Sequence, residues 1–65
     1  MVKQITLLDR AHGVRLFRQR FETLPADYFV LDLDDLCTSF DTEAEARRYF
    51  DARAALARVR ALAGL

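Results

Sequence analysis

Apolar residues in the last third of the chain recur at steps of three and four positions. This period is that of an α-helix with one apolar side, and it predicts a helix over about residues 42–63. Thr42 followed three residues later by Glu45 is typical of a helix N-terminus, and Gly64 is typical of a helix end. The predicted stripe that faces the core consists of Ala46, Tyr49, Ala52, Leu56, Val59 and Leu62, widened by Phe50 and Ala57.

The middle of the chain alternates between two faces, which predicts strands over about residues 28–33 and 36–40. A two-residue turn at Asp34 and Asp35 would join them into a hairpin. This register places every large apolar residue on one face, because it pairs Leu33 with Leu36, Leu31 with Thr38, and Phe29 with Phe40. The other face then receives Tyr28, Val30 and Asp32.

The first third of the chain fits two interpretations. As strands, about residues 3–8 and 14–22 flank a turn over residues 9–13, and residues 23–27 form the next loop. As a helix, apolar residues between 7 and 24 also recur at steps of three and four, although Gly13 would cost about 1 kcal/mol relative to Ala. We favour the strands because their register pairs charges as well as apolar residues: Phe21 with Phe29, Phe17 with Leu33, and Arg18 with Asp32 on the outer surface. The predicted fold is α+β, a small antiparallel β-sheet of hairpins packed against one C-terminal α-helix.

The composition is typical of one small domain spanning residues 1–65. The chain is 52% apolar, which is ample for a globular core. Cys37 is the single cysteine, which excludes an internal disulfide and favours a reducing compartment. No signal-peptide pattern is visible near the N-terminus, and no apolar run approaches the ~18 residues of a membrane span. We therefore predict a cytoplasmic protein without a membrane partner.

Charge is divided along the chain into three blocks. Residues 1–20 carry a net charge of +4, residues 21–46 carry −8 without any Lys, Arg or His, and residues 47–65 carry +4. The total is zero, yet segregated charge creates surfaces of one sign that select partners. The predicted binding surface is an acidic face formed by Asp27, Asp32, Asp34, Asp35, Asp41, Glu43 and Glu45.

One segment resembles an enzyme motif. Residues 29–36, FVLDLDDL, resemble the first motif of the haloacid-dehalogenase phosphatases, an apolar strand ending in Asp-x-Asp. The resemblance implies that Asp32 is a nucleophile and Asp34 an acid/base, acting with a magnesium ion. The Thr that follows the second Asp in that family is absent, and 65 residues are too few for its parallel sheet and its downstream Lys and Asp motifs. We therefore predict that the protein is not an enzyme.

No other pattern predicts a catalytic, metal or cofactor site. The acids after Asp32 lack the Gly and the bidentate Glu of a calcium-binding loop. His12 stands beside Gly13 in a predicted turn, and Cys37 has no basic neighbour in sequence that would activate its thiol. Two glycines do not make a phosphate-binding loop.

The charge blocks favour a small interaction protein that binds a larger, basic protein partner through the acidic face. Such carboxylates can stand in for backbone phosphates and occupy a nucleic-acid-binding surface. In size and charge layout the chain is similar to small phage-encoded inhibitors, anti-CRISPR proteins among them. Two alternatives stay open. One is a basic nucleic-acid-binding module that uses Arg15, Arg18 and Arg20 with Phe17 and Phe21, and the other is a structural homodimer module. The net charge of zero argues against direct nucleic-acid binding.

Overall fold

The computed structural model of the chain describes residues 2–64, apart from the side chain of Lys3. It consists of four strands followed by one helix: β1 (Val2–Ala11), β2 (Val14–Phe21), β3 (Asp27–Leu31), β4 (Cys37–Phe40) and α1 (Glu43–Ala63). The strands form one antiparallel sheet in the order β1-β2-β3-β4, and α1 packs on one face of it. The predicted α+β fold is confirmed, and the first third of the chain forms strands, as the cross-strand register favoured.

The hairpin between β1 and β2 turns within two residues. His12 and Gly13 both have positive φ, 54° and 86°, which is the geometry of a type I′ turn. Ala11 pairs with Val14 directly beside this turn. The predicted turn over residues 9–13 is therefore too long, because Asp9, Arg10 and Ala11 continue the strand.

The core lies between the sheet and the helix. Val14, Leu16 and Val30 are fully buried on the sheet, and Phe50 lies over them from α1. Each side chain of this size contributes about 1.5–3 kcal/mol when it leaves water, so these four supply much of the stability of so small a domain. The helix adds three small buried residues, Ala46, Ala54 and Ala57.

The predicted register of β3 with β4 is wrong by one residue. Val30 pairs with Thr38 and Leu31 with Cys37, so the connection is five residues long instead of a two-residue turn. Asp-Asp is poorly suited to two positive φ angles, and only Asp35 adopts one, at 62°. Because of this slip of one residue, β3 turns the opposite set of side chains towards the helix, whereas Phe40 of β4 stays on the core side as predicted. Val30 therefore enters the core, Phe29 lies on the face without the helix, and Leu33 and Leu36 are exposed.

The predicted register of β2 with β3 is wrong by four residues. Phe17 pairs with Phe29 instead of Leu33, and Arg18 pairs with Tyr28 instead of Asp32. A shift by an even number keeps the same residues of the two strands on a common face, but that face is the opposite one from the prediction. Tyr28 packs against the core, so Arg18 lies on the helix-covered side and not on the outer surface.

The helix begins as predicted, and Ala46, Phe50 and Ala57 of the predicted stripe are buried, but the rest of that stripe is not. Thr42 caps it, because the Thr42 Oγ1 accepts a hydrogen bond from the Glu45 amide at 3.3 Å. The side facing the sheet is formed by Ala46, Phe50, Ala54 and Ala57, with Tyr49 half-buried at its edge. The predicted core residues Ala52, Leu56, Val59 and Leu62 are exposed.

The reason is the side of the helix that faces the sheet. At about 100° per residue, Ala46, Phe50, Ala54 and Ala57 fall on one side of α1, whereas Ala52, Leu56, Val59 and Leu62 fall on the other. Residues 58–64 are also exposed throughout, so the last turns of α1 extend past the core, and the molecule is elongated, at 47 × 18 × 16 Å.

Candidate protein-binding surfaces

Asp32 follows β3 and is only 5% exposed. One oxygen of its carboxylate, Oδ1, accepts a hydrogen bond from the Leu33 amide at 2.7 Å. The other oxygen, Oδ2, accepts a hydrogen bond from the Nε of Arg53 on α1. Both oxygens are thus engaged within the protein, and Asp32 does not belong to an exposed binding surface.

The charge state of Asp32 follows from these contacts. Burial raises the pKa of Asp32, but the hydrogen bond from the Leu33 amide and the contact with the Arg53 guanidinium outweigh it, so the pKa lies below the ordinary 3.8. The same hydrogen bond raises the pKa of Arg53. The pair is therefore fully ionised at neutral pH, and it joins the sheet to the helix.

Two further predicted site residues, Asp34 and Asp35, lie in the β3–β4 connection among cations. Both are exposed. The Asp35 carboxylate is 4.0 Å from the guanidinium of Arg15, and the negative charge of Asp34 contributes to the raised pKa of Arg53. This end of the sheet is consequently mixed in charge.

The remaining predicted residues gather at the opposite end of the sheet. Asp27 begins β3 and Asp41 follows β4, so the antiparallel order brings both to one end. Glu43 and Glu45 lie in the first turn of α1, which starts at the same end, where the positive end of the helix dipole stabilises them. We call this group, together with Glu22 after β2, the acidic end. The length of β3 places it about 14 Å or more from Asp34 and Asp35.

The structure thus divides the seven predicted residues into three sets. Asp27, Asp41, Glu43 and Glu45 come together, Asp34 and Asp35 lie apart from them, and Asp32 is buried. Sequence reasoning left Glu22 out of the site because it lies before the Pro25 loop, whose course the sequence does not fix.

A surface pocket of about 410 Å³ opens at the acidic end. Its apolar wall comes from Phe21, Leu24 and Pro25, with Ala26, and its polar wall comes from Asp27 and Asp41. Asp27 also accepts a hydrogen bond from the Gln19 amide at 3.4 Å. Such a combination suits a Lys or Arg side chain, which has an aliphatic stem and a cationic head.

The carboxylates of the acidic end form no ion pair within the described part of the chain, although Glu45 and Asp27 accept hydrogen bonds from the neutral Thr42 hydroxyl and Gln19 side-chain amide. In the described part of the chain, the ion pairs are Arg47 with Asp9, Arg53 with Asp32, and Arg15 with Asp35. The pair of Arg47 with Asp9 forms because an irregularity in β1 turns Asp9 towards α1. There the Asp9 Oδ2 lies 2.5 Å from Nη1 of Arg47. None of the three pairs uses a residue of the acidic end.

A second surface is the sheet face that α1 does not cover, which we call the outer face. Directly opposed residues of an antiparallel sheet share a face. Leu7 and Phe29 both oppose Phe17, so all three lie on the outer face. The rings of Phe17 and Phe29 stack with centroids 4.8 Å apart. The predicted register missed this surface because it turned Phe29 and Leu31 towards the core.

His12 and Cys37, the other two candidate residues, lie on different parts of the sheet. His12 is exposed in the hairpin turn, and Cys37 is exposed at the start of edge strand β4. Between residues 2 and 64, no three or more His, Cys, Asp or Glu side chains are grouped so as to hold a metal ion. Within the same range, no helix has the length and apolar character needed to cross a membrane.

Comparisons with known proteins found no relative of this chain. No protein-family model matches the chain, and neither the curated proteins nor the solved structures contain a match to it.

Proposed function

We propose that the protein is a non-enzymatic, cytoplasmic interaction protein that binds a larger, basic protein partner through the acidic end. The observation that carries the proposal is the grouping of five exposed or half-exposed carboxylates at one end of the sheet, two of which, Asp27 and Asp41, line a pocket, and none of which takes part in an ion pair of the described residues. Carboxylates that serve only solubility would be scattered or paired with the ten basic residues of the chain.

In the more specific form of the proposal, the protein is an inhibitor that occupies a nucleic-acid-binding surface. The carboxylates of the acidic end lie at the start of β3, just after β2 and β4, and in the first turn of α1. A row of carboxylates of this kind can replace phosphates on a basic surface. A Lys or Arg of the partner would enter the pocket between Phe21 and Asp41. The association is then fast at low salt and slows as salt screens the charges.

The test uses a fluorescent Arg-rich peptide as the probe, because it presents the chemistry of a basic surface without requiring the partner. Glu22→Lys with Asp41→Lys reverses two charges at the acidic end. Asp34→Lys with Asp51→Lys is the matched control, since it changes the net charge of the chain equally at exposed sites away from that end.

Fluorescence anisotropy should show binding by the wild-type protein that weakens about tenfold or more in the first variant and much less in the control. Equal weakening in the two variants would mean that only net charge matters, and the acidic end would not be the site. Competition with single-stranded DNA for a basic domain then tests the inhibitor form separately.

A further inference from the structure

The outer face carries an apolar strip that crosses three strands. Its central row is Leu7, Phe17 and Phe29, which are opposed across β1, β2 and β3. Ile5 and Leu31 lie on the same face in the two neighbouring rows. Leu7 is 48% exposed, and α1 packs only on the opposite face. A monomer in water gains nothing from exposing aromatic and aliphatic side chains in one continuous strip.

The two ends of this strip differ in charge. In the row nearest the β1–β2 turn, Arg10 opposes Arg15, and the exposed carboxylate of Asp35 lies 4.0 Å from the Arg15 guanidinium. In the row on the other side of Phe17, Gln19 opposes Asp27, and the Gln19 side-chain amide donates a hydrogen bond to the Asp27 carboxylate. The strip therefore runs from an end with two arginines and one carboxylate, through an apolar centre, to an acidic residue.

We propose that the outer face is the interface with a second copy of this chain, related by a two-fold axis that crosses the strands at Phe17. Rotation about that axis places Phe17 of one copy against Phe17 of the other. It also places Arg15 of each copy over the Gln19–Asp27 pair of the other, so that both ends find opposite charge. A two-fold interface requires such self-complementarity, and few charge arrangements on a single face provide it.

Single-stranded nucleic acid fits this face less well than a second copy does. The Phe17 and Phe29 rings turn one face towards each other, which leaves less ring surface for bases. Leu7, Ile5 and Leu31 offer aliphatic contacts, and Asp27 repels phosphate at one end. Asp27 belongs to both surfaces, but Asp41, Glu43 and Glu45 lie outside the central rows and sedimentation is measured without the Arg-rich peptide, so this inference does not rest on the proposed function.

The test is sedimentation velocity of the full chain across a range of concentrations, with a reductant present because Cys37 is exposed. Leu7→Lys places two like charges beside the proposed axis. Leu62→Lys is the matched control, since Leu62 is a 62% exposed leucine on the part of α1 that extends past the sheet. Ile5→Lys repeats the test on the same face if circular dichroism shows that Leu7→Lys does not fold.

The wild-type protein should sediment as a dimer at micromolar concentrations, and Leu7→Lys should raise the dissociation constant more than about tenfold, whereas Leu62→Lys should leave it unchanged. Arg15→Glu should also weaken the dimer, and Arg15→Glu combined with Asp27→Arg should restore it, because the charges at both ends are exchanged. A wild-type protein that stays monomeric at about 100 μM, or a dimer that neither Leu7→Lys nor Arg15→Glu affects, would overturn the proposal. Binding of an oligonucleotide that is lost in Arg15→Glu would show that the outer face binds nucleic acid and not a second copy.

Discussion

Arg53 of the helix and Asp32 after β3 form the buried ion pair that fixes the helix over the sheet. The guanidinium Nε donates to the carboxylate Oδ2 across 21 residues of sequence. Asp32 is also held by the amide of Leu33, so its position does not depend on the helix. The pair therefore acts as a fixed point on the sheet to which the third turn of α1 is bound.

Removing the carboxylate should destabilise the protein. Asp32→Ala leaves the Arg53 guanidinium and the Leu33 amide without their acceptor, and we expect the free energy of unfolding to fall by about 1–3 kcal/mol. Urea denaturation measures the change. Asp34→Ala is the control, because Asp34 is exposed, and it should change the value by less than about 0.5 kcal/mol. Equal effects of the two substitutions would show that the ion pair contributes nothing.

Stability should depend on pH in the acid range. Burial raises the pKa of Asp32, but the hydrogen bond from the Leu33 amide and the contact with Arg53 outweigh it, so this pKa lies below the ordinary 3.8 of the unfolded chain. The pKa of Asp9 is lowered in the same direction, chiefly by the hydrogen bond from Arg47. The folded state then binds fewer protons than the unfolded state, so stability is full above pH 3.8 and is lost as the pH falls through the folded-state values. Urea midpoints at neutral pH and at about pH 3 should differ in that direction, and the difference should shrink in Asp32→Asn. A midpoint that does not change with pH would contradict the ion pairs.

Two apolar residues of the helix should differ in their contribution. Phe50 is 3% exposed in the core, so Phe50→Ala should cost about 3–5 kcal/mol. Leu56 is 38% exposed, and the sequence pattern alone would predict a similar cost for it. The structure instead predicts less than about 1 kcal/mol for Leu56→Ala. Thermal melts of the two variants distinguish these expectations, and a comparable loss in both would mean that the helix is rotated relative to the position described.

The hairpin turn should depend on Gly13. A side chain at this position would need positive φ, and its Cβ would overlap Cδ2 of Leu33. Gly13→Ala should therefore destabilise the protein by about 1–2 kcal/mol. His12→Asn is the complementary variant, because Asn accepts positive φ more readily than His, and it should preserve or raise the melting temperature. A tolerated Gly13→Ala would argue against the two-residue turn.

The fold was predictable from the sequence because its local patterns are strong. The capping residues before Glu43 and the helical period fix α1, and alternation fixes the strands of the sheet. The exact registers were not predictable, because the β3–β4 connection has no Gly and two arrangements one residue apart both alternate correctly. The observed register buries Val30 in the core and brings Asp32 to Arg53, and these tertiary contacts are not visible in the local pattern.

The tertiary arrangement, which local patterns do not show, also limited the prediction of the candidate site. The sequence places its acids close together along the chain, but β3 carries Asp27 to one end of the sheet and Asp34 to the other. Part of the apolar stripe of α1 was misassigned for a different reason. Apolar residues lie on more than one side of α1, so the period identifies a helix but does not tell which side packs on the sheet. Val59 and Leu62 were therefore predicted as core residues although they are exposed.

The most direct test of the central claim is a map of amide chemical shifts on titration of the ¹⁵N-labelled protein with the Arg-rich peptide. If the acidic end binds the peptide, the largest shift changes should fall on residues 22–27 and 41–45, which lie at that end, and they should diminish at high salt. Changes concentrated on residues 32–36, or spread evenly over all acidic residues, would contradict binding at the acidic end.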